Sequence, residues 1–302
     1  DYRFYKKFYK HAWVLSFVLL ALVLIAGRTI NGSKRWIYIT STLSFQPSEM
    51  VKMLMIIFYA GILTKNKDDL GSYSQGFVKH IILVLPIIGL LLAEPHFSSS
   101  IVILGICSIM MIMAGCKFWH FLVTGVTSGV PLIMGLIMIE PYRLKRVITF
   151  LDPWQDATGD GWQVIQSLYA IGTGGLFGVG LGDSKQKYLY IPEPHNDFIF
   201  SILGEELGFI GCAVVLILFA IFIWRGILVA MKSPDMFGSL VAIGITALVG
   251  IQVIINVAVV TSSMPATGMP LPFFSYGGTA LFMLLCEMGV LLNISRATAD
   301  EG

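Results

Sequence analysis

The stretch IFSILGEELGFIGCAVVLILFAIFIW, residues 199–224, decides the fold class. It is long, almost wholly apolar, and carries only two acids, Glu205 and Glu206. A helix that crosses a bilayer needs about 20 such residues. The alternation of a membrane β-strand is absent, and the run is too long and continuous for one. Similar runs lie at about 12–27, 48–64, 78–94, 98–114, 119–139, 236–261 and 274–295. The reading is an all-α polytopic membrane protein with eight transmembrane helices in a single domain, residues 1–302. The composition agrees. Of 302 residues, 56% are hydrophobic and 13% charged, against about 25% charged in an average soluble domain. Too few polar groups exist to cover a soluble surface. The net charge of +2 and scattered basic residues exclude a nucleic-acid stripe. Cys107, Cys116, Cys212 and Cys286 lie in or beside apolar runs without CxxC spacing, which makes them packing thiols.

Eight spans put both termini on one side. Lys and Arg favour cytoplasmic loops. With the N-terminus inside, the short inner segments hold most of the cations, including Lys6, Lys10, Lys65, Lys79 and Arg225. The outer cations concentrate in one long loop, about 140–198. The expectation is a multi-pass protein of the cytoplasmic membrane with both termini inside. Loops of that length are usually functional or disordered. This one is not low-complexity. It has an amphipathic stretch near 162–171 and interfacial aromatics, Trp154, Trp162 and Tyr169, so an ordered cap over the outer face is expected.

Six features bear residues that could do chemistry. In NGSKRWIYI, residues 31–39, the adjacent cations Lys34 and Arg35 precede Trp36; this is either a solvated turn with an aromatic anchor or a cationic site with a sugar-stacking ring. In QPSE and beyond, Glu49 and Lys52 are three apart on one helix face and can pair. The hairpin EPHF, residues 94–97, puts Glu94 beside His96, where a metal or hydroxyl could bind, although two residues do not define a metal site. The cluster RLKR carries Arg143, Lys145 and Arg146, suited to phosphate oxygens or to anionic lipid. The stretch GTGGLFGVGLGDSKQKYLYIPEPHNDFIF, residues 172–200, is no dinucleotide loop; its glycines permit tight turns, and Lys187, Glu193, His195 and Asp197 follow. A carboxylate where water meets an apolar face is a candidate general base, and Asp197 could equally cap the next helix. Glu205 and Glu206 lie within a span, where acids need a partner such as Lys52 or serve a proton relay. Finally PATGMPLPFFSYGG, residues 265–278, breaks a helix where the chain re-enters the membrane, and Glu287 lies buried beyond it.

These strings, in this order, resemble the SEDS family (shape, elongation, division and sporulation proteins), and most closely its division and sporulation branch. The likeness runs from about residue 31 to 294. Members typically have ten spans, so the eight here correspond to the last eight. Two motifs depart from the family pattern: EPHF stands where QPDLG is common, and HNDF where HTDF is usual. The resemblance implies a peptidoglycan glycosyltransferase that polymerises lipid II on the outer face, with Asp197 as the catalytic base. Substrate contacts are expected at the outer-face residues Lys34, Arg35, Trp36, Glu94, His96, Arg143, Lys145, Arg146, Lys187, Glu193 and His195. The resemblance further implies a divalent cation such as Mg2+ or Mn2+, no organic cofactor, a class B penicillin-binding protein as partner, and other division or sporulation proteins nearby. A lipid II flippase, with Glu49, Lys52, Glu205, Glu206 and Glu287 as a polar path, is the alternative. A non-catalytic scaffold of a division complex is the third reading.

Overall fold

The computed structural model describes residues 1–30, 33–38, 44–139, 141–159, 161–186 and 195–300. Among the described residues, eight helices are long and apolar enough to cross a membrane. In chain order they are α1 (Tyr9–Ala26), α2 (Pro47–Lys65), α3 (Tyr73–Ala93, opening in a π turn), α4 (Phe97–Ala114), α5 (Phe118–Ile139), α8 (Ile199–Lys232), α9 (Met236–Val260) and α10 (Gly278–Asp300). Between α5 and α8 stand two shorter helices, α6 (Pro141–Leu151) and α7 (Trp162–Gly174). The eight spans fall where continuous apolar runs require them, within a few residues at most ends.

The outer loop after α1 is not helical. β1 (Arg28–Ile30), β2 (Ser33–Tyr38) and β3 (Ser44–Phe45) form a small antiparallel sheet in that order. Trp36, Ile37 and Tyr38 favour extended backbone, but a ladder this short falls below what hydrophobic periodicity reveals.

The helices form two compact units. The first comprises Asp1–Leu122, Phe222–Ile251 and Gly278–Gly302. Its centre is α2, with 78% of its apolar window buried. Glycines allow the close contacts there. A Cβ on Gly61 would strike the Tyr9 ring of α1, and one on Gly244 would strike Ile56 of α2. Tyr59 donates to the His80 carbonyl at 2.7 Å, tying α2 to α3.

The second unit comprises Val123–Ile221 and Gln252–Gly277. The long-loop helices α6 and α7 belong to it. Ser167 of α7 donates to the Val260 carbonyl at the end of α9, at 2.8 Å. Beyond α7 the glycine run folds back on the start of α8, backbone against backbone. Val179 and Gly180 donate to the carbonyls of Glu205 and Glu206 at 2.9 and 3.1 Å. Phe209 and Ile210 donate to those of Gly175 and Leu176 at 2.8 and 3.2 Å. No side chain fits at these crossings: a Cβ on Gly174 would lie 1.9 Å from the Gly204 oxygen, and one on Gly178 2.1 Å from the Glu206 oxygen. Gly208, at φ 66°, kinks α8 at the crossing. Continuous apolarity gave no sign of that kink, although Gly208 lies inside the span.

Candidate active site

Asp197 lies in the turn His195–Phe198 that leads into α8. Its carboxylate rests against Gly268, where a Cβ would come within 3.0 Å of an Asp197 oxygen. Three bonds fix this turn. The side-chain amide of Asn256, from α9, donates to the Asp197 carbonyl at 2.9 Å and to the Met269 carbonyl at 2.8 Å. Ser275 donates its hydroxyl to the Asn196 carbonyl, and the Tyr276 N–H donates to the His195 carbonyl at 2.8 Å. The Pro- and Gly-rich segment 265–276 thus serves as a brace for the Asp197 backbone. It has little regular structure because its prolines break a helix, and the bonds it donates are local turns plus the two to the Asp197 turn. Asp197 remains half-buried and His195 exposed.

Arg146 of α6 donates to the carbonyl of Ala266, two residues before Gly268. Two residues of chain span at most about 7 Å, so this guanidinium approaches the same segment as Asp197. A cavity of about 180 Å³ opens here, lined by Arg146, Thr149, Trp162, Gln163 and Ser262 among others. Ser262 sits at φ 52° on its rim. Lys145 pairs instead with Asp156, at 3.5 Å on the surface. For Arg143 only the backbone, within α6, is described. Lys187 and Glu193 lie outside the described residues.

Glu205 is 3% exposed and saturated with donors. Its carboxylate accepts the Ser184 hydroxyl at 2.5 Å and the N–H groups of Lys185 and Gln186 at 3.1 and 3.3 Å. Glu206 accepts the Ser184 N–H at 3.4 Å. Lys52 is therefore not the partner of this acid pair, contrary to the sequence expectation. The partners come from the loop that the glycines fold onto α8.

Lys52 pairs with Glu49 at 2.7 Å, as their spacing predicts, and both are buried in the first unit. Glu287 of α10 lies within electrostatic reach of the two, which supplies the neighbours that could not be named from sequence. In the same unit the EPHF turn is closed. Glu94 is 1% and His96 4% exposed. Arg35 of β2 donates to the Pro95 carbonyl, and His96 Nε2 meets Ser99 Oγ at 2.9 Å. Burial pushes the Glu94 carboxyl up to about 8, against the pull of the Arg35 charge. Burial, with Arg35 and Lys52 nearby, holds His96 well below the usual imidazole range. Both groups are thus neutral near pH 7. Lys34 is exposed, its ammonium 3.5 Å from the Leu24 carbonyl, and Trp36 is half-buried on β2 opposite Arg28.

Among the described residues no three His, Cys, Asp or Glu side chains converge to hold a metal. No step below runs through the divalent cation that the resemblance implies.

A family model for the FtsW, RodA and SpoVE cell cycle proteins matches residues 1–300. The chain belongs to the FtsW/RodA/SpoVE family. Stage V sporulation protein E of Bacillus subtilis (strain 168) is 46% identical over 298 residues, covering 98% of this chain and 81% of that protein. A probable peptidoglycan glycosyltransferase FtsW of Geobacter sp. (strain M18) is 42% identical, covering 98% and 80%. Among solved structures, a chain of a peptidoglycan synthase complex that coordinates polymerization and crosslinking superposes with a TM-score of 0.81 at 31% identity, covering 98% and 83%. The rod shape determining protein RodA of Thermus thermophilus gives 0.68 at 28% identity, covering 97% and 79%. The membership confirms the polytopic helical fold read from the sequence. The site geometry adds one residue that reading missed, Asn256. A lone amide within the apolar run VIINVAVV was its signal, since polar groups inside spans are costly and commonly functional.

Proposed function

We propose that this peptidoglycan glycosyltransferase of the FtsW/RodA/SpoVE family uses Asp197 as its general base. The observation that carries the reading is the braced, half-buried acid. Its backbone is fixed from α9 and from segment 265–276, and the residue is not closed off from solvent. A base needs that combination: held geometry and access to the proton it removes. Asp197 accepts the proton of the acceptor GlcNAc 4-hydroxyl. That oxygen attacks C1 of the donor MurNAc, and the bond from C1 to the pyrophosphate oxygen breaks. Undecaprenyl pyrophosphate leaves with the electron pair. One displacement turns the α-linked donor into a β-1,4 link, so no covalent enzyme intermediate is required. The charge that develops on the leaving group needs fixed cations. In the second unit Arg146 supplies one beside segment 265–269, with Lys145 on the same helix. The neighbouring cavity, with the Trp162 ring and the Gln163 amide in its wall, suits a sugar.

The substrate is lipid II, the partner a class B penicillin-binding transpeptidase, and the site faces the outside of the cytoplasmic membrane with both termini within. The charge distribution supports the orientation. The synthase complex to which one structural match belongs supports the partner. The test is polymerisation of lipid II by the purified protein with its partner. The unaltered protein should make glycan and Asp197→Asn should not. Polymerisation by Asp197→Asn at the unaltered rate refutes the assignment. Lipid II translocation by a variant that cannot polymerise would favour the flippase. Growth supported by Asp197→Asn would favour the scaffold.

A further inference from the structure

A second cavity, of about 360 Å³, lies in the first unit at the opposite ends of α2 and α3 from the EPHF turn. Lys10 of α1, Lys65 of α2 and Lys79 of α3 line it, and no acid does. Among the described residues none of the three lysines forms an ion pair; all are exposed. Its walls are aromatic. Tyr9 stacks near Phe58 with ring centroids 6.3 Å apart, and Trp13 lies 6.3 Å from the same ring. The wall is also fixed: the Trp13 indole donates to the Leu83 carbonyl at 2.9 Å, and Gly61 lets the Tyr9 ring lie flat on α2. Three cations around a preformed aromatic recess at the edge of three spans match one chemistry, a phosphate carried on an acyl chain. Basic pockets between membrane helices bind anionic headgroups, and amphipathic aromatic rings sit at headgroup level.

We propose that this cavity is a binding site for one anionic phospholipid, its phosphate among Lys10, Lys65 and Lys79 and its upper acyl chain along Trp13. The site is separate from the glycosyl-transfer chemistry and does not depend on it. The occupant is a lipid because the recess sets three lysines and no acid beside the apolar and aromatic walls of three membrane-spanning helices.

The test is native mass spectrometry of the full chain in detergent, with phosphatidylglycerol and, separately, phosphatidylethanolamine as probes. The protein should retain one phosphatidylglycerol in preference to phosphatidylethanolamine. Retention should fall roughly fivefold for each lysine replaced by alanine, while Lys→Arg at the same positions retains the lipid. The thermal midpoint without added lipid should be unchanged, which separates loss of binding from loss of folding. Equal retention by the triple Lys→Ala variant overturns the proposal, as does equal retention of both lipids. So does a photo-crosslinker at position 10 that captures a protein segment instead of lipid in native membranes.

Discussion

Two turns in this protein are near twins in sequence and opposite in structure. EPHF and HNDF each place an acid and a histidine just ahead of a membrane helix. In the first, Glu94 and His96 are buried, neutral and closed under Arg35. In the second, Asp197 is half-buried, His195 is exposed, and bonds from Asn256, Ser275 and Tyr276 brace the backbone. Burial shifts the protonation of an acid but denies it a substrate. Bracing the backbone fixes the turn without closing the residue off. The difference lies in what packs around each turn: a β-strand residue over Glu94, and an irregular segment beside Asp197 whose Gly268 leaves room for the carboxylate.

The largest expected effect tests the open turn. Asp197→Asn keeps the shape and removes the base. Polymerisation of lipid II should fall by about 10²- to 10⁴-fold, with an unchanged thermal midpoint. Glu94→Gln in the same assay should cost less than tenfold. If the two variants fall equally, the contrast between an accessible base and a closed acid collapses.

Much of this was legible in the sequence, and what was missed follows a pattern. The spans were readable because the bilayer demands a long apolar run in one place. The Glu49–Lys52 pair was readable because a helix puts residues three apart on one face, and α7 because its stretch is amphipathic. The partner of Glu205 was misread because it comes from residues 184–186, about twenty positions away, through a crossing that glycine sterics create. The brace on Asp197 was invisible for the same reason. Asn256, Ser275 and Tyr276 reach it across 59 to 81 residues of chain, and nothing in local periodicity encodes such a contact.

Asn256→Ala sharpens the comparison from the side of the brace. It strips donors from the Asp197 and Met269 carbonyls. A misplacement on the order of 1 Å can cost about 10²-fold in rate, so turnover should fall by about 10- to 100-fold. Lipid II concentration dependence should change little, because the acid is displaced while the binding surface stays. A rate equal to that of the unaltered protein would show that the turn holds without the amide.

Glu205→Gln acts one layer further out. An amide in place of the carboxylate turns one acceptor into a donor facing hydroxyl and N–H groups. The expected cost is about 1–3 kcal/mol, read as a lower thermal midpoint in detergent.

The smallest effect, at pH 6, belongs to the closed turn. Glu94 is protonated there in the folded protein, so Glu94→Gln replaces one neutral group with another and should shift stability by less than about 1 kcal/mol. The pH dependence is the sharper readout. A carboxyl raised from 4.5 to about 8 in the fold stabilises most below pH 4.5, and that contribution is lost as pH rises toward 8. His96 works the other way. Its folded value is depressed below 6.5, so its contribution is complete above pH 6.5 and declines as pH falls. In the unaltered protein the two slopes oppose each other below pH 6.5, and above it Glu94 goes on lowering stability up to about pH 8. Glu94→Gln should make the decline between pH 6.5 and 8 shallower than in the unaltered protein. A decline equally steep in Glu94→Gln would place the titrating group elsewhere and leave the EPHF turn closed for some other reason.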